Sequence, residues 1–306
     1  MTTHRPNEHL GSRYTLISPI NSGAMGEVWR ARDVEGGLHA AKILRPGLGD
    51  NAEMVKRFVA ERNLLLSVHH PNVVGVHDLV VEGDTLAIVM DLVEGRDLRQ
   101  VLAAVGAFTP SDAALVCAEL ADGLAAIHEQ RIVHRDMKPA NVLVDEAGEA
   151  AVPRITDFGV SRLTETGPGA TNPTLIAGTP HYMAPELLMN QTPTAASDLY
   201  SLGIMLYELT TGLTPFADRS PAAAMQAQLN LAPGRPDGID ERLWDAVRWL
   251  TRKDPSQRPA TAAQTARALR EVSARTESLP AMAPLVVPPA PVPTDAPSAP
   301  APAAPS

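Results

Sequence analysis

The hydrophobic period changes once along this 306-residue chain, near residue 95, and that change limits the folds open to it. Before it, residues 14–31 read as strand, glycine-containing turn and strand, and residues 38–44 (LHAAKIL) as a further strand. VVGVHDLVV and TLAIVMDLV, joined by the turn EGD, form a predicted hairpin. A single helix interrupts them, with Met54, Val55, Phe58, Val59, Leu65 and Leu66 recurring at helical spacing. After Gly95, Thr109-Pro110-Ser111-Asp112 supplies a capping threonine, a proline in the first turn and an early carboxylate, which starts a helix running to about Gln130. SDLYSLGIMLYELTTG, ERLWDAVRWLTRK and AAQTARALREVSART continue in helical period. A strand-rich small lobe followed by a helix-rich large lobe is an α+β arrangement, with a cleft expected between the lobes. The expected boundaries are an N-terminal extension over 1–13, a small lobe over 14–94, a large lobe over 95–275 and a tail over 276–306.

In that tail the composition narrows to Pro, Ala, Ser and Val, and ten of the chain's 28 prolines fall between Pro280 and Pro305. Proline lacks an amide donor and fixes φ, so the segment is expected to be extended and disordered: a linker, or a ligand for a proline-binding module. The net charge is −9 without a basic stripe, which argues against nucleic acid as the main partner. The lone Cys117 excludes an internal disulfide, no apolar run is long enough to span a bilayer, and the N-terminus lacks a signal pattern. The expected location is cytoplasmic. Only four lysines occur, Lys42, Lys56, Lys138 and Lys253, against 22 arginines, so each position that keeps a lysine is informative.

Two of the four sit among residues suited to one chemistry. In His134–Asn141 (HRDMKPAN), Asp136 and Asn141 bracket Lys138 and Pro139; such a loop can set a carboxylate beside an attacking hydroxyl and an amide oxygen on a metal, or be a charged surface turn. Asp157-Phe158-Gly159 follows, with an aspartate able to hold Mg²⁺ on nucleotide phosphates, and then Ala184-Pro185-Glu186. Lys42 ends a strand, and Glu61 on the next helix can hold its ammonium in place or be an exposed helix carboxylate. Ile20 to Val28 reads INSGAMGEV, where Gly23 and Gly26 let backbone amides approach phosphate oxygens, or form a plain glycine hairpin.

These motifs, in this order over about residues 14–270, resemble the eukaryotic-type protein kinase superfamily, and most closely its bacterial serine/threonine branch. The resemblance implies a two-lobed kinase fold and transfer of the γ-phosphoryl group of ATP to Ser or Thr hydroxyls of proteins, with Mg²⁺ or alternatively Mn²⁺. It implies that Asp136 is the catalytic base, that Asn141 and Asp157 are metal ligands, and that Lys42, paired with Glu61, binds the α/β-phosphates. Lys138 would steady the γ-phosphate, which favours Ser/Thr over Tyr specificity, and Gly178-Thr179 would form the substrate platform. Ile20, Gly23, Gly26 and Val28 would cover the nucleotide, and Val28, Ala40 and Leu143 would sandwich the adenine. Met90 would be the gatekeeper, Asp91 and Val93 would meet the adenine edge, and Asp97 the ribose. Glu186 and Arg258 would be a buried ion pair, Asp198 an anchor for the catalytic loop, and Leu65, Val76, Phe158 and His134 an internal column.

One position departs from the family: its glycine loop begins with Gly, and here Asn21 stands there. Asparagine tolerates positive φ better than other residues. Arg135 before the base implies control by a phosphorylated loop, with Thr171 and Thr174 the favoured sites and self-association the route to trans-autophosphorylation. A nucleotide-binding pseudokinase scaffold is the alternative reading; Lys42, Asp136 and Asp157 are all present against it.

Overall fold

The structure, a computed structural model, describes residues 4–23, 26–44, 52–158 and 180–294. A strand-rich sheet forms its first part and helices its later part. The chain divides into two compact units, Met1–Val101 with Glu119–Thr174, and Leu102–Ala118 with Leu175–Ser306.

The first unit is built on six antiparallel strands: β1 (His9–Leu10), β2 (Tyr14–Gly23), β3 (Gly26–Asp33), β4 (Leu38–Leu44), β5 (Val76–Glu82) and β6 (Thr85–Asp91), in the order β1-β2-β3-β4-β6-β5. Strand period decides which face each side chain takes. Val28, Lys42 and Ile88 lie opposite one another across β3, β4 and β6, as do Arg30, Ala40 and Met90. One face of the sheet therefore carries Val28, Ala40, Lys42 and Met90. The alternate residues Trp29, Ala31, Ala41, Ile43, Ala87 and Val89 pack with Leu10, Tyr14, Leu16 and Val80 into a core. Helix α1 (Ala52–Ser67) buries Phe58 and Leu65 and packs on β5.

A second sheet, β7 (Gly95–Asp97), β8 (Val142–Asp145) and β9 (Val152–Ile155), belongs to the same unit. The chain just before β5 stitches it in place. Ile155 N donates to Asn72 O (2.8 Å), Val74 N to Ile155 O (2.8 Å), and Asn72 Nδ2 to Pro153 O (3.0 Å). Helix α3 (Pro110–Glu129), which follows α2 (Leu98–Val105), comes close at Gly123, where a Cβ would stand 2.8 Å from Asn72 O. Small size at that one position permits the approach.

The second unit contains α4 (Pro185–Leu188), α5 (Ala195–Thr211), α6 (Pro221–Asn230), α7 (Glu241–Leu250) and α8 (Ala262–Thr276), with a two-stranded ladder of β10 (Leu231–Ala232) and β11 (Val292–Pro293). Helix α5 is apolar on nearly every face and buried along most of its length. It ends at Gly212, whose φ of 80° is left-handed. Across residues 280–294 the Pro/Ala-rich tail forms no helix and a single short strand, β11, as proline content dictates. Up to Thr294, however, it is held against this unit: Leu285 N donates to Thr211 O (2.8 Å), Thr294 N donates to Asn230 O (3.1 Å), and Pro288 is buried. Non-proline residues supply the amide donors, and the acceptors belong to helices far back in the chain. Residues 295–306 lie outside the described residues.

Candidate active site

The site begins in the loop before β8. His134 is fully buried, and its ring bridges two backbone groups: Asp136 N donates to Nδ1 (3.2 Å), and Nε2 lies 2.9 Å from Thr156 O. Because Nδ1 accepts, the proton must reside on Nε2, which donates to the carbonyl. The loop before Asp136 is thereby tied to the residue before Asp157. Two non-glycine residues here have positive φ, Arg135 at 69° and Asp157 at 65°. Such conformations persist only where the surroundings over-determine them, and they concentrate at functional sites.

The carboxylate of Asp136 is clamped from two directions. Lys138 Nζ lies 3.0 and 2.7 Å from its two oxygens, and Asn141 Nδ2 donates to Asp136 Oδ2 (2.9 Å) and to Asp136 O (2.7 Å). A short 3-10 helix, Pro139–Asn141, brings Asn141 back over Asp136, with Pro139 in its first turn. The amide nitrogen of Asn141 is engaged as a donor, so its Oδ1 is the acceptor left to face a ligand. Thr156 N donates to Asn141 O (3.0 Å), which joins this loop to Asp157. Lys42 Nζ lies 2.7 Å from Asp157 Oδ1, with the lysine side chain 8% exposed. Lys42, Asp136, Asn141 and Asp157 thus stand in one hydrogen-bonded constellation inside one compact unit. Glu61 lies half-buried on α1.

Val28, Ala40 and Met90 share the sheet face that bears Lys42, and Thr156 Oγ1 meets Met90 Sδ at 3.8 Å. Leu143 on β8 pairs in register with Asp97 on β7. At the tip of the β2–β3 hairpin Gly23 pairs with Gly26, whose φ is 139° and where a Cβ would stand 2.0 Å from Ile43 O. Ile20 in the same hairpin is exposed, and Val93 is half-buried.

Three expectations change in detail. Asn21 does not adopt positive φ: it pairs with Val28 in β2, and its Oδ1 accepts from Ser22 N (2.8 Å). Its tolerance of left-handed backbone is not what keeps the hairpin. The Asp91 amide donates to Gly75 O (2.9 Å), so of its two backbone groups only the carbonyl can meet an adenine edge. Its side chain is held by Gly75 N (2.9 Å) and His77 Nε2 (2.7 Å). Asp97 accepts from Gln100 N (2.8 Å), capping α2; an aspartate directly before an apolar helical run is the sequence signal for that role. Gly159, Thr171, Thr174, Gly178 and Thr179 lie outside the described residues.

In the second unit Arg258 Nη1 and Nη2 grip Glu186 Oε1 and Oε2 at 2.7 and 2.8 Å, both side chains buried. Burial alone would raise the Glu186 carboxyl, but the hydrogen bonds and charge of Arg258 outweigh it and hold the group below the ordinary carboxylate range. Asp198 is buried on α5. The segment Pro180–Tyr182 is fastened by side chains of α5 and α6. Tyr182 OH donates to Glu208 (2.5 Å), Ser201 Oγ donates to Tyr182 O (2.8 Å), and Gln228 bridges His181 O and Tyr200 OH.

Known proteins resemble this chain in sequence. The serine/threonine-protein kinases PkaA and PkaB of Streptomyces coelicolor are 44% and 43% identical to it over 276 and 268 residues, in each case 86% of this chain. The chain spans 50% and 64% of those relatives, so it matches about half to two-thirds of their length. The crystal structure of the Mycobacterium tuberculosis PknI kinase domain superimposes with a TM-score of 0.68 at 24% identity, covering 88% of this chain and 100% of that one; this likeness concerns the fold. The protein kinase domain model matches residues 14–269, and with the constellation around Asp136 and Asp157 in place, the chain belongs to the protein kinase family.

Proposed function

We propose that this chain is an ATP-dependent serine/threonine protein kinase, its catalytic domain running over about residues 14–275. The observation that carries this reading is the joining of Lys42, Asp136, Asn141 and Asp157 into one bonded network. The donor set suits a hard divalent cation: Asp157 offers carboxylate oxygen and Asn141 an amide oxygen. Asp157 and Asn141 would hold a Mg²⁺ or Mn²⁺ ion together with the nucleotide phosphates. When bound, the nucleotide and its ion supply the phosphoryl group and neutralise its charge.

The chain's own residues do the positioning. Lys42, held by Asp157 and, in this reading, by Glu61, presents an ammonium to the α/β-phosphates. Val28, Ala40, Met90, Asp91, Val93 and Leu143 form the adenine site, with Ile20, Gly23 and Gly26 over the nucleotide and Asp97 at the ribose. Asp136, its side chain 35% exposed, is open to an incoming hydroxyl and accepts its proton as oxygen attacks phosphorus and the β/γ-bridging bond breaks. Asn141 fixes the orientation of Asp136. Lys138, which already spans both of its oxygens, is placed to turn toward the transferring group.

Relatives named serine/threonine kinases support protein hydroxyls as acceptors, and Thr171 and Thr174 are proposed sites of autophosphorylation in trans. No helix among the described residues is long and apolar enough to cross a membrane, and a cytoplasmic location is proposed. Incubation with ATP and Mg²⁺, comparing the unaltered chain with Asp136→Asn, tests the assignment. Loss of the base is expected to lower the transfer rate by about 10²–10⁴-fold with nucleotide binding retained. Equal labelling of both proteins would remove Asp136 from its role, and nucleotide binding without transfer by either would make the chain a pseudokinase scaffold.

A further inference from the structure

Residues 280–294 look from their composition like chain that belongs to nothing, yet the second unit is shaped around them. Three glycines form the seat. A Cβ at Gly106 would stand 2.9 Å from Pro284 Cγ. At Gly212 it would meet Gly106 O at 2.7 Å and Pro284 Cβ at 3.3 Å. At Gly234 it would lie 2.5 Å from both Pro289 O and Ala290 O. Gly106 and Gly212 also have positive φ, but Gly234 does not, so close approach of the passing segment is what its missing side chain serves.

Backbone bonding is equally specific. The last carbonyls of a helix have no partner within it. Leu285 N reaches Thr211 O at the end of α5, and Thr294 N and Oγ1 both reach Asn230 O at the end of α6 (3.1 and 2.8 Å). Between these anchors β11 pairs with β10, directly after α6. The segment therefore completes the C-terminal ends of two helices, and α6 is the helix whose Gln228 donates to His181 O, next to the segment of residues 159–179.

We propose that the surface formed by Gly106, Gly212, Gly234 and β10 is a docking groove for an extended proline-rich strand. Its resident ligand is this chain's own residues 279–294, and the strap braces α6 and through Gln228 the substrate-side backbone at His181. The bracing half rests on the kinase reading; the docking half does not. Hydrogen exchange on the full chain reads the docking. The amides of Leu285 and Thr294 are expected to exchange at least about tenfold more slowly than in the free peptide 279–294. Two variants attack the contact from opposite sides. Leu285→Pro deletes the donor to Thr211 O, and Gly234→Val fills the path of Pro289 and Ala290. Both are expected to bring the segment to free-peptide rates and to raise KM for a protein substrate about threefold or more while KM for ATP stays unchanged.

Free-peptide exchange in the unaltered chain, or protection that survives both variants, would overturn the groove. Protection that falls on dilution would make the ligand a second copy's segment and overturn the intrachain assignment. Lost protection with both KM values unchanged would overturn the bracing of α6. A chain without any transfer activity would count against the kinase reading, and the exchange data would still decide the groove.

Discussion

At the residue scale, each charged group at the site has its orientation set by a partner rather than by its own backbone alone. Asp136 is gripped by Lys138 and Asn141, and His134 links the amide of Asp136 to the carbonyl of Thr156. The types of these residues were legible in HRDMKPAN and Asp157-Phe158-Gly159. The direct contact of Lys42 with Asp157 was not, because 115 positions separate them: Lys42 is on β4 of one sheet, Asp157 follows β9 of another, and only the closed fold of the first unit brings them to 2.7 Å. The Glu186–Arg258 pair was expected and is found, both side chains shielded from water. Removing one member strands the other charge, so Arg258→Leu is expected to lower unfolding free energy by about 3–5 kcal/mol. Urea denaturation measures it; a loss below about 1 kcal/mol would mean that water reaches the freed carboxylate.

At the element scale, the strands of the first unit were readable because they are short apolar runs bounded by turns such as EGD. Their register was not. It follows from the pairings Val28–Lys42–Ile88 and Arg30–Ala40–Met90, which put the candidate nucleotide residues on one face. The link from residues 72–74 to β9 also had no sequence signal, since a short parallel bridge leaves no periodicity. Its dependence on Gly123 is testable. A methyl there would press on Asn72 O at 2.8 Å, a backbone atom that cannot swing aside, so Gly123→Ala should destabilise the fold by about 1–3 kcal/mol despite alanine's better helix propensity. Thermal unfolding of the variant decides it, and an unchanged or raised Tm would show that α3 shifts at little cost.

At the scale of the whole molecule, two half-buried groups of the second unit shape the pH dependence of stability. Burial pushes the Glu208 carboxyl up to about 7, although the hydroxyl of Tyr182 works against it. Burial, reinforced by the nearby Arg258, brings the Lys253 ammonium down to about 7; its partner is Tyr200 OH at 2.8 Å. A carboxyl with a raised native pKa favours folding fully below its unfolded value of 4.5 and loses that advantage as pH rises to about 7. A depressed lysine favours folding above its unfolded value of 10.5 and loses that as pH falls to about 7. Together these two groups contribute least near neutrality. Glu208→Gln should match the unaltered chain at pH 5 and exceed it by about 2–3 kcal/mol at pH 8. Lys253→Met should gain over the unaltered chain as pH drops from 10 to 7. Urea midpoints across that range check both, and parallel profiles for variant and unaltered chain would show that neither group titrates differently on unfolding.

From its residues alone this chain settled its fold class, the main strands of its first part and the long helices of its later part, together with the residue types of the candidate site, because period, capping residues and short motifs are local properties of the chain. Tertiary structure alone decided that Lys42 meets Asp157, that Asn141 turns its amide nitrogen to Asp136, and that a proline-rich segment lies along three glycines and two helix ends. Each of those depends on which distant backbone donors and acceptors are left for one another, and that pairing exists only once the chain has closed on itself.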